Sequence, residues 1–117
     1  MQSAQLAVGT KSGSVQIWDA AEGRIIRTMS GHSARVGALA WNDAILSSGS
    51  HDKLIHHRDV RVPEHYIATL ASHKEEVCGL RWNSHNQLAS GGNDNKLFVF
   101  DKMNEVRTDT FGSDRVA

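Results

Sequence analysis

Val36-Gly-Ala-Leu-Ala-Trp-Asn42 is followed, 41 residues on, by Val77-Cys-Gly-Leu-Arg-Trp-Asn83. The surrounding chain keeps the same register. Gly31-His32 returns as Ser72-His73, again 41 residues later. Ile45-Leu-Ser-Ser-Gly-Ser50 returns as Gln87-Leu-Ala-Ser-Gly-Gly92, and Leu6-Ala-Val-Gly-Thr10 is an earlier copy. Segments ending at Asp19, Asp59 and Asp101 recur at intervals of 40 and 42. A fixed period of this length marks a stacked array, in which each unit has an apolar face that only a neighbouring copy can cover.

The repeating pieces are β-strands. Val15-Gln-Ile-Trp-Asp19 and Lys96-Leu-Phe-Val-Phe-Asp101 alternate in character and are bounded by turn-forming residues. Lys11-Ser-Gly-Ser14, His51-Asp-Lys53 and Asn93-Asp-Asn95 carry the chemistry of tight turns. No stretch holds apolar residues at helical spacing for three turns. The spacing predicts strands over 6–10, 15–19, 24–29, 36–42, 45–50, 54–60, 65–71, 77–83, 87–92 and 96–101, with a weak last strand over 106–111. Short strands in units near 41 residues are the pattern of the WD40 class. With the four strands of a blade named inner, second, third and outer, residues 1–30 read as a partial blade without its inner strand. Residues 31–71 and 72–111 read as two further blades, and 112–117 as a tail. The fold expected is all-β: a partial WD40 β-propeller of about three four-stranded antiparallel blades, unclosed. Closure takes roughly four to eight blades. A fragment, or an open array that borrows partners, is therefore expected, with unsatisfied strand edges at both ends.

With 117 residues the chain is one domain or part of one. Lys+Arg and Asp+Glu both number 13, so a polyanion-binding surface is not expected, and no nucleic acid partner with it. At 39% hydrophobic and 22% charged, the composition is that of a globular chain and not of a disordered tail. The single cysteine, Cys78, excludes an internal disulfide framework and a cysteine zinc cage. It aligns with Gly37 on an inner strand and is expected to be a buried, inert thiol. No apolar run approaches the ~18 residues of a membrane span. Met1 to Gln5 lack the layout of a secretory signal. A soluble protein of a reducing compartment, without a membrane partner, is expected.

Two sets of residues could be taken for catalytic machinery. His32, Ser48 and Asp52 form a Ser/His/Asp set, and His73, Ser90 and Asp94 repeat it. A hydrolase would use the serine as a nucleophile activated by histidine. A catalytic set occurs once per site, however, and this one recurs with the structural period. In WD40 blades such residues join a third-strand Trp in a buried hydrogen-bonded tetrad that satisfies polar groups and fixes the loops. Trp18 holds that Trp position in the first blade, while Arg58 and Phe100 replace it in the next two and offer no indole N–H. The pair His56-His57 invites a metal, but adjacent strand residues face opposite sides and cannot chelate together. No metal and no cofactor are expected. Thr10-Lys-Ser-Gly13 lacks the order of a phosphate loop. Leu39, Trp41, Leu80, Trp82, Val15, Ile17, Leu97 and Val99 read as blade-to-blade packing.

The wording of the blades is more specific than their period. Gly31-His-Ser-Ala-Arg-Val-Gly-Ala-Leu-Ala-Trp-Asn42, Leu46-Ser-Ser-Gly-Ser50, His57-Arg-Asp-Val-Arg61, Glu76-Val-Cys-Gly-Leu-Arg-Trp82 and Leu88-Ala-Ser-Gly-Gly-Asn-Asp-Asn95 resemble the Fizzy family. These are the co-activators of the anaphase-promoting complex. The resemblance covers about residues 6–103. Asn95-Lys-Leu-Phe-Val and Val36-Gly-Ala-Leu-Ala-Trp look more like the Fizzy-related branch, whereas Ile55-His-His-Arg-Asp-Val-Arg-Val and Ile67-Ala-Thr-Leu look more like the Fizzy branch. The balance leans to Fizzy-related.

The resemblance implies a non-catalytic cell-cycle adaptor of the nucleus and cytoplasm, a propeller that captures short degrons and presents their owners for ubiquitin transfer. Its implied partners are subunits of the anaphase-promoting complex and degron-bearing substrates or inhibitors. The chain would supply blades two (in part), three and four. In the family the Asn of Gly-Gly-Asn-Asp-Asn helps receive a Lys-Glu-Asn degron on the top face, and that position is Asn93. An amide suits the task because it both donates and accepts, although Asn is also a common turn-former. Arg35, His51 and Glu76 lie in loops expected on the same face. A side groove between blades two and three takes a motif rich in acidic and aromatic residues, and Arg27 matches a basic position there. The family's main degron groove, its amino-terminal docking box and its carboxy-terminal Ile-Arg have no counterpart here; the chain ends in Asp114-Arg-Val-Ala117. From about Arg107 the sequence departs from the family pattern, which points to truncation, a shifted reading frame or an artificial end of the chain. The competing readings are a generic WD40 interaction scaffold, an inactive truncated product and a serine hydrolase.

Overall fold

The computed structural model describes residues 5–61, 68–101 and 104–110, the last of these as backbone. They form eleven strands: β1 Gln5–Gly9, β2 Val15–Asp19, β3 Arg24–Met29, β4 Val36–Asn42, β5 Ile45–Ser50, β6 Ile55–Asp59, β7 Ala68–Leu70, β8 Val77–Trp82, β9 Gln87–Gly92, β10 Lys96–Asp101 and β11 Asn104–Thr110. The strand expected over 65–71 is formed at its C-terminal part, and residues 65–67 lie outside the described residues. The weak last strand is formed earlier than expected, at Asn104–Thr110, and pairs with β10. Residue 111 and the tail 112–117 lie outside the described residues.

The strands make three antiparallel sheets, each a meander in chain order: β1-β2-β3, β4-β5-β6-β7 and β8-β9-β10-β11. None closes on itself. The hairpins explain the meander. Gly13, Lys53 and Asn95 occupy equivalent positions in three copies of one turn, all with positive φ (94°, 77° and 62°). In each copy that residue's N–H donates to the carbonyl three residues earlier, on Thr10, Ser50 and Gly92. At the other end of the sheets Asp43 and Asn86, in the β4–β5 and β8–β9 hairpins, take φ of 57° and 60°. Asn and Asp tolerate this region better than other non-glycine residues.

Each sheet leaves two faces to cover, and the core lies between sheets. Val15, Ile17 and Met29 of the first sheet pack with Val36 and Leu46 of the second. Ile55 and Leu70 of the second pack with Val77, Leu88, Phe98 and Phe100 of the third, with Leu80 and Trp82 alongside. Strand alternation therefore aims Val15, Ile17, Ile55 and His57 at the following sheet, and His56, Arg58, Phe98 and Phe100 at the preceding one. The outward face of the first sheet, with no neighbouring sheet among the described residues, leaves Leu6, Val8 and Ile25 exposed.

Two expectations need correction. Trp41 was grouped with the packed residues, yet it is 37% exposed. Its equivalent Trp82 is held by the sheet before it: the indole N–H donates to Ser47 Oγ at 3.1 Å, and Ser47 Oγ is hydrogen-bonded to His57 Nδ1 at 2.7 Å. In the first sheet Ala7 and Ile17 hold the positions of Ser47 and His57, and their side chains can accept no hydrogen bond. Cys78 is exposed, not buried. The β8–β9 register skips it, passing from Val77↔Gly92 to Gly79↔Gly91. Cys78 is thus the extra residue of a β-bulge, which re-aims its side chain away from the core.

Close approach of the sheets requires a glycine at position 49. A Cβ there would lie 2.5 Å from Val77 Cγ1 and 2.9 Å from Val77 Cβ on the neighbouring sheet. At the equivalent Gly91 a Cβ meets nothing within 4 Å. Gly49→Ala is expected to destabilise the fold by about 1–3 kcal/mol through overpacking. Gly91→Ala should change stability by less than about 0.5 kcal/mol. Urea unfolding of the two variants side by side measures the difference.

Candidate functional site

The upper edge of the second and third sheets is assembled from two inner-strand entries and two turns. Arg35 precedes β4, and Glu76 precedes β8. His51 opens the β5–β6 turn, and Asn93 opens the β9–β10 turn. In each sheet the turn is tied to the entry by a backbone bond: His51 N–H donates to the Arg35 carbonyl at 3.0 Å, and Asn93 N–H to the Glu76 carbonyl at 2.9 Å. The sheets are then tied to each other. The Arg35 guanidinium donates Nε–H to Glu76 Oε2 at 3.1 Å and Nη2–H to Oε1 at 2.8 Å, a fork-to-fork pair. His51 Nδ1 also reaches Glu76 Oε1, at 3.2 Å. The Arg35 hydrogen bond is the main reason the Glu76 carboxyl sits below its usual range, with His51 helping. The Cys78 thiol donates to Asn93 Oδ1 at 3.0 Å. The four residues proposed from sequence thus come together, but as one linked edge rather than four free side chains. The bulge that delivers Cys78 to it gives no signal in the sequence.

A groove of about 510 Å³ runs between the first and second sheets, and Ile17, Ile26, Arg27, Trp41, Val60 and Arg61 are among the residues lining it. It opens where Trp41 has no polar anchor. Arg27 is on its wall and donates Nη1–H to the Val60 carbonyl across the two sheets. Arg61 is held by a bidentate pair with Asp59, at 2.8 and 2.5 Å, which keeps the Asp59 carboxyl down at about 2. Trp41 and Arg61 as groove residues escaped the sequence reading.

The Ser/His/Asp sets are built as hydrogen-bond networks. His32 Nδ1–H donates to Asp52 Oδ2 at 2.9 Å, leaving Nε2 to accept the Ser48 hydroxyl at 2.9 Å. His73 does the same with Asp94 at 3.1 Å and Ser90 at 2.8 Å. Burial alone would raise the Asp52 carboxyl. The N–H groups of Ser33 and Leu54 outweigh that and hold it below the usual range. Ser48 and Ser90 are 2% and 0% exposed, so neither hydroxyl can meet a substrate. Trp18 does not join such a set: its indole N–H donates to Gln16 Oε1 at 3.0 Å, and Val8 stands where the next two sheets have Ser48 and Ser90. Arg58, at the same position in the second sheet, donates instead to the Ser30 carbonyl, and Phe100 fills the core.

His56 and His57 do face opposite sides. His57 meets Ser47 and Trp82, whereas His56 stacks on His32 with ring centroids 4.0 Å apart and bonds Thr69 Oγ1 through Nδ1 at 3.0 Å. His32, Asp52 and His56 bring ligand atoms within 4.8 Å of one another, a proximity that sequence spacing did not reveal. Both nitrogens of His32 are already engaged by Asp52 and Ser48.

Two successive stretches, 23–59 and 64–101, match the family described as "WD domain, G-beta repeat". The chain belongs to this WD40-repeat family. It is 65% identical over 101 residues to the WD repeat-containing protein srw1 of Schizosaccharomyces pombe, covering 86% of this chain and 18% of srw1. It is 48% identical over 113 residues to the APC/C activator protein CDH1 of Saccharomyces cerevisiae, covering 96% of this chain and 20% of CDH1. Relatives between 46% and 65% identical include Fizzy-related proteins and a Cdc20. The chain spans about a fifth of the length of these relatives. A chain in the crystal structure of a mitotic checkpoint complex superposes with a TM-score of 0.87 at 50% identity, over 91% of this chain and 33% of that one. The three sheets are therefore WD40 blades.

The buried histidines make the second blade sensitive to acid. Burial, then His32 and Arg58, push His56 down to about 4, and burial also holds His32 and His57 below their usual value. Unfolded histidines titrate near 6.5, so between there and about 4 the unfolded chain binds protons that the folded one does not. Stability is expected to be fully present above pH 6.5 and to fall towards pH 4, with a His56 share of at most about 3 kcal/mol. Chemical denaturation across this range should show a slope that His56→Phe, copying Phe98 of the next blade, makes shallower.

Proposed function

We propose that the chain is a substrate-recognition part of an activator of the anaphase-promoting complex. It binds short peptide motifs to direct ubiquitination in the cell cycle, and does no chemistry itself. The observation that carries this reading is its identity with the APC/C activator CDH1 across 96% of the chain. The partners proposed are subunits of that complex and degron-bearing substrates or inhibitors, in the nucleus and cytoplasm.

Asn93 is the peptide-binding residue of this reading. Its side chain is exposed on the upper edge, and its backbone is held by Glu76 of the same blade. The groove beside Arg27 is proposed as a second peptide site. Two guanidiniums and the exposed Trp41 suit a motif with acidic and aromatic side chains. Binding at either place is modest, because short peptides bury little area.

With these blades in a closed propeller, Asn93→Ala is expected to weaken a Lys-Glu-Asn peptide by about 1–3 kcal/mol. Titration calorimetry reads the change, and an unaltered affinity removes Asn93 from the site.

A further inference from the structure

The linked upper edge does more than place Asn93. It also decides which end of the amide is offered. An Asn side chain carries one acceptor oxygen and two N–H donors. Here one lone pair of Oδ1 accepts from the Cys78 thiol at 3.0 Å, with the Glu76 carbonyl a longer second acceptor for that proton at 3.6 Å, so the amide is turned with its Nδ2 donors away from the thiol. Burial and the nearby Glu76 carboxylate raise the Cys78 thiol above its usual range, so it remains a protonated donor at neutral pH. The turn that carries Asn93 hangs from the Glu76 carbonyl. Glu76 is in turn gripped by Arg35 through two hydrogen bonds from the preceding blade, and by His51. The carboxylate next to Asn93 is therefore already paired with the Arg35 guanidinium and within hydrogen-bond distance of His51. The equivalent position of the preceding blade is His51, where the bulged residue is Gly37 and no thiol is present.

We infer that Cys78 and the Arg35–Glu76 pair are positioning residues that fix the orientation of the Asn93 amide, so that its Nδ2 donors meet an oxygen acceptor of the peptide, a carboxamide or carboxylate. The inference rests on Asn93 touching peptide, as proposed above. It assigns Arg35, His51 and Glu76 an indirect role in place of direct contact.

The test compares Cys78→Ala, Cys78→Ser and Glu76→Gln in the full chain. NMR without peptide should show the Asn93 side-chain amide well dispersed in the parent chain and in Cys78→Ser, but averaged in Cys78→Ala. Identical amide signals in all three overturn the inference, whatever peptide binding does. With a Lys-Glu-Asn peptide, Cys78→Ala and Glu76→Gln should each weaken binding by about three- to tenfold, whereas Cys78→Ser stays within about twofold. The loss in Cys78→Ala should vanish for a peptide whose Asn is replaced by Ala, and persist for one whose Lys is replaced by norleucine. A Glu76→Gln loss that disappears with the norleucine peptide means direct contact with the cation and overturns the positioning role. An unchanged Asn93→Ala affinity sinks the peptide-site reading instead, while the NMR comparison still decides how Asn93 is oriented.

Discussion

A short antiparallel meander satisfies the hydrogen bonds of its backbone but leaves both of its faces uncovered. In this chain that single constraint organises the rest. The first and second blades each cover one face with the following copy, and the second meets the third at a distance so short that Gly49 has no room for a methyl group beside Val77. The two interfaces that result are chemically unlike. Between the second and third blades, Phe98, Phe100, Leu88, Ile55 and Leu70 make an apolar layer, and Trp82 is anchored by Ser47 and His57. Between the first and second, the positions of Phe98 and Phe100 are taken by His56 and Arg58, and the position of Ser47 by Ala7. That interface keeps an apolar layer of Val15, Ile17, Met29, Val36 and Leu46, adds the buried polar His56 and Arg58 to it, and is open at the Trp41 side, where the groove forms.

The buried Ser/His/Asp networks follow from the same geometry. A loop must cross from the outer strand of one blade to the inner strand of the next, and its backbone has to find partners where water is scarce. His32 and His73 meet that need by bridging an aspartate of the turn and a serine of the second strand. The aspartates in turn accept the N–H groups of Ser33 and Lys74. Low local dielectric strengthens such a fully satisfied network. It also explains why three residue types associated with hydrolysis occur together twice without an accessible nucleophile.

With the loops fixed in this way, the upper edge becomes a rigid frame on which turn residues can vary. His51 and Asn93 hold equivalent places, each suspended from the carbonyl of the residue before the inner strand. The side chains of those two carbonyl residues, Arg35 and Glu76, have opposite charge and meet across the interface. A repeated backbone contact thus supports a non-repeated surface chemistry, as expected of a scaffold whose function resides in turns and grooves. The strongest polar contacts on this edge join neighbouring blades, so the edge is organised only when the blades are stacked.

The sequence by itself determined the strands, their order and the sheets they form. Period-2 alternation and turn-forming residues are local signals, and a hairpin meander is made of local contacts, so β1 to β6 and β8 to β10 begin and end within a residue or so of expectation. It also determined which histidine, serine and aspartate would meet, because each set repeats with the period. Only the tertiary structure decided the rest. The bulge at Cys78 is a matter of ladder register, which no residue type announces, and it turned an expected core thiol into a surface donor. The approach of His56 to His32, the pairing of Arg35 with Glu76 and the exposure of Trp41 all depend on which side chain the neighbouring sheet presents. Alternation says which face a residue is on. What it touches there is set by packing between segments far apart in the chain.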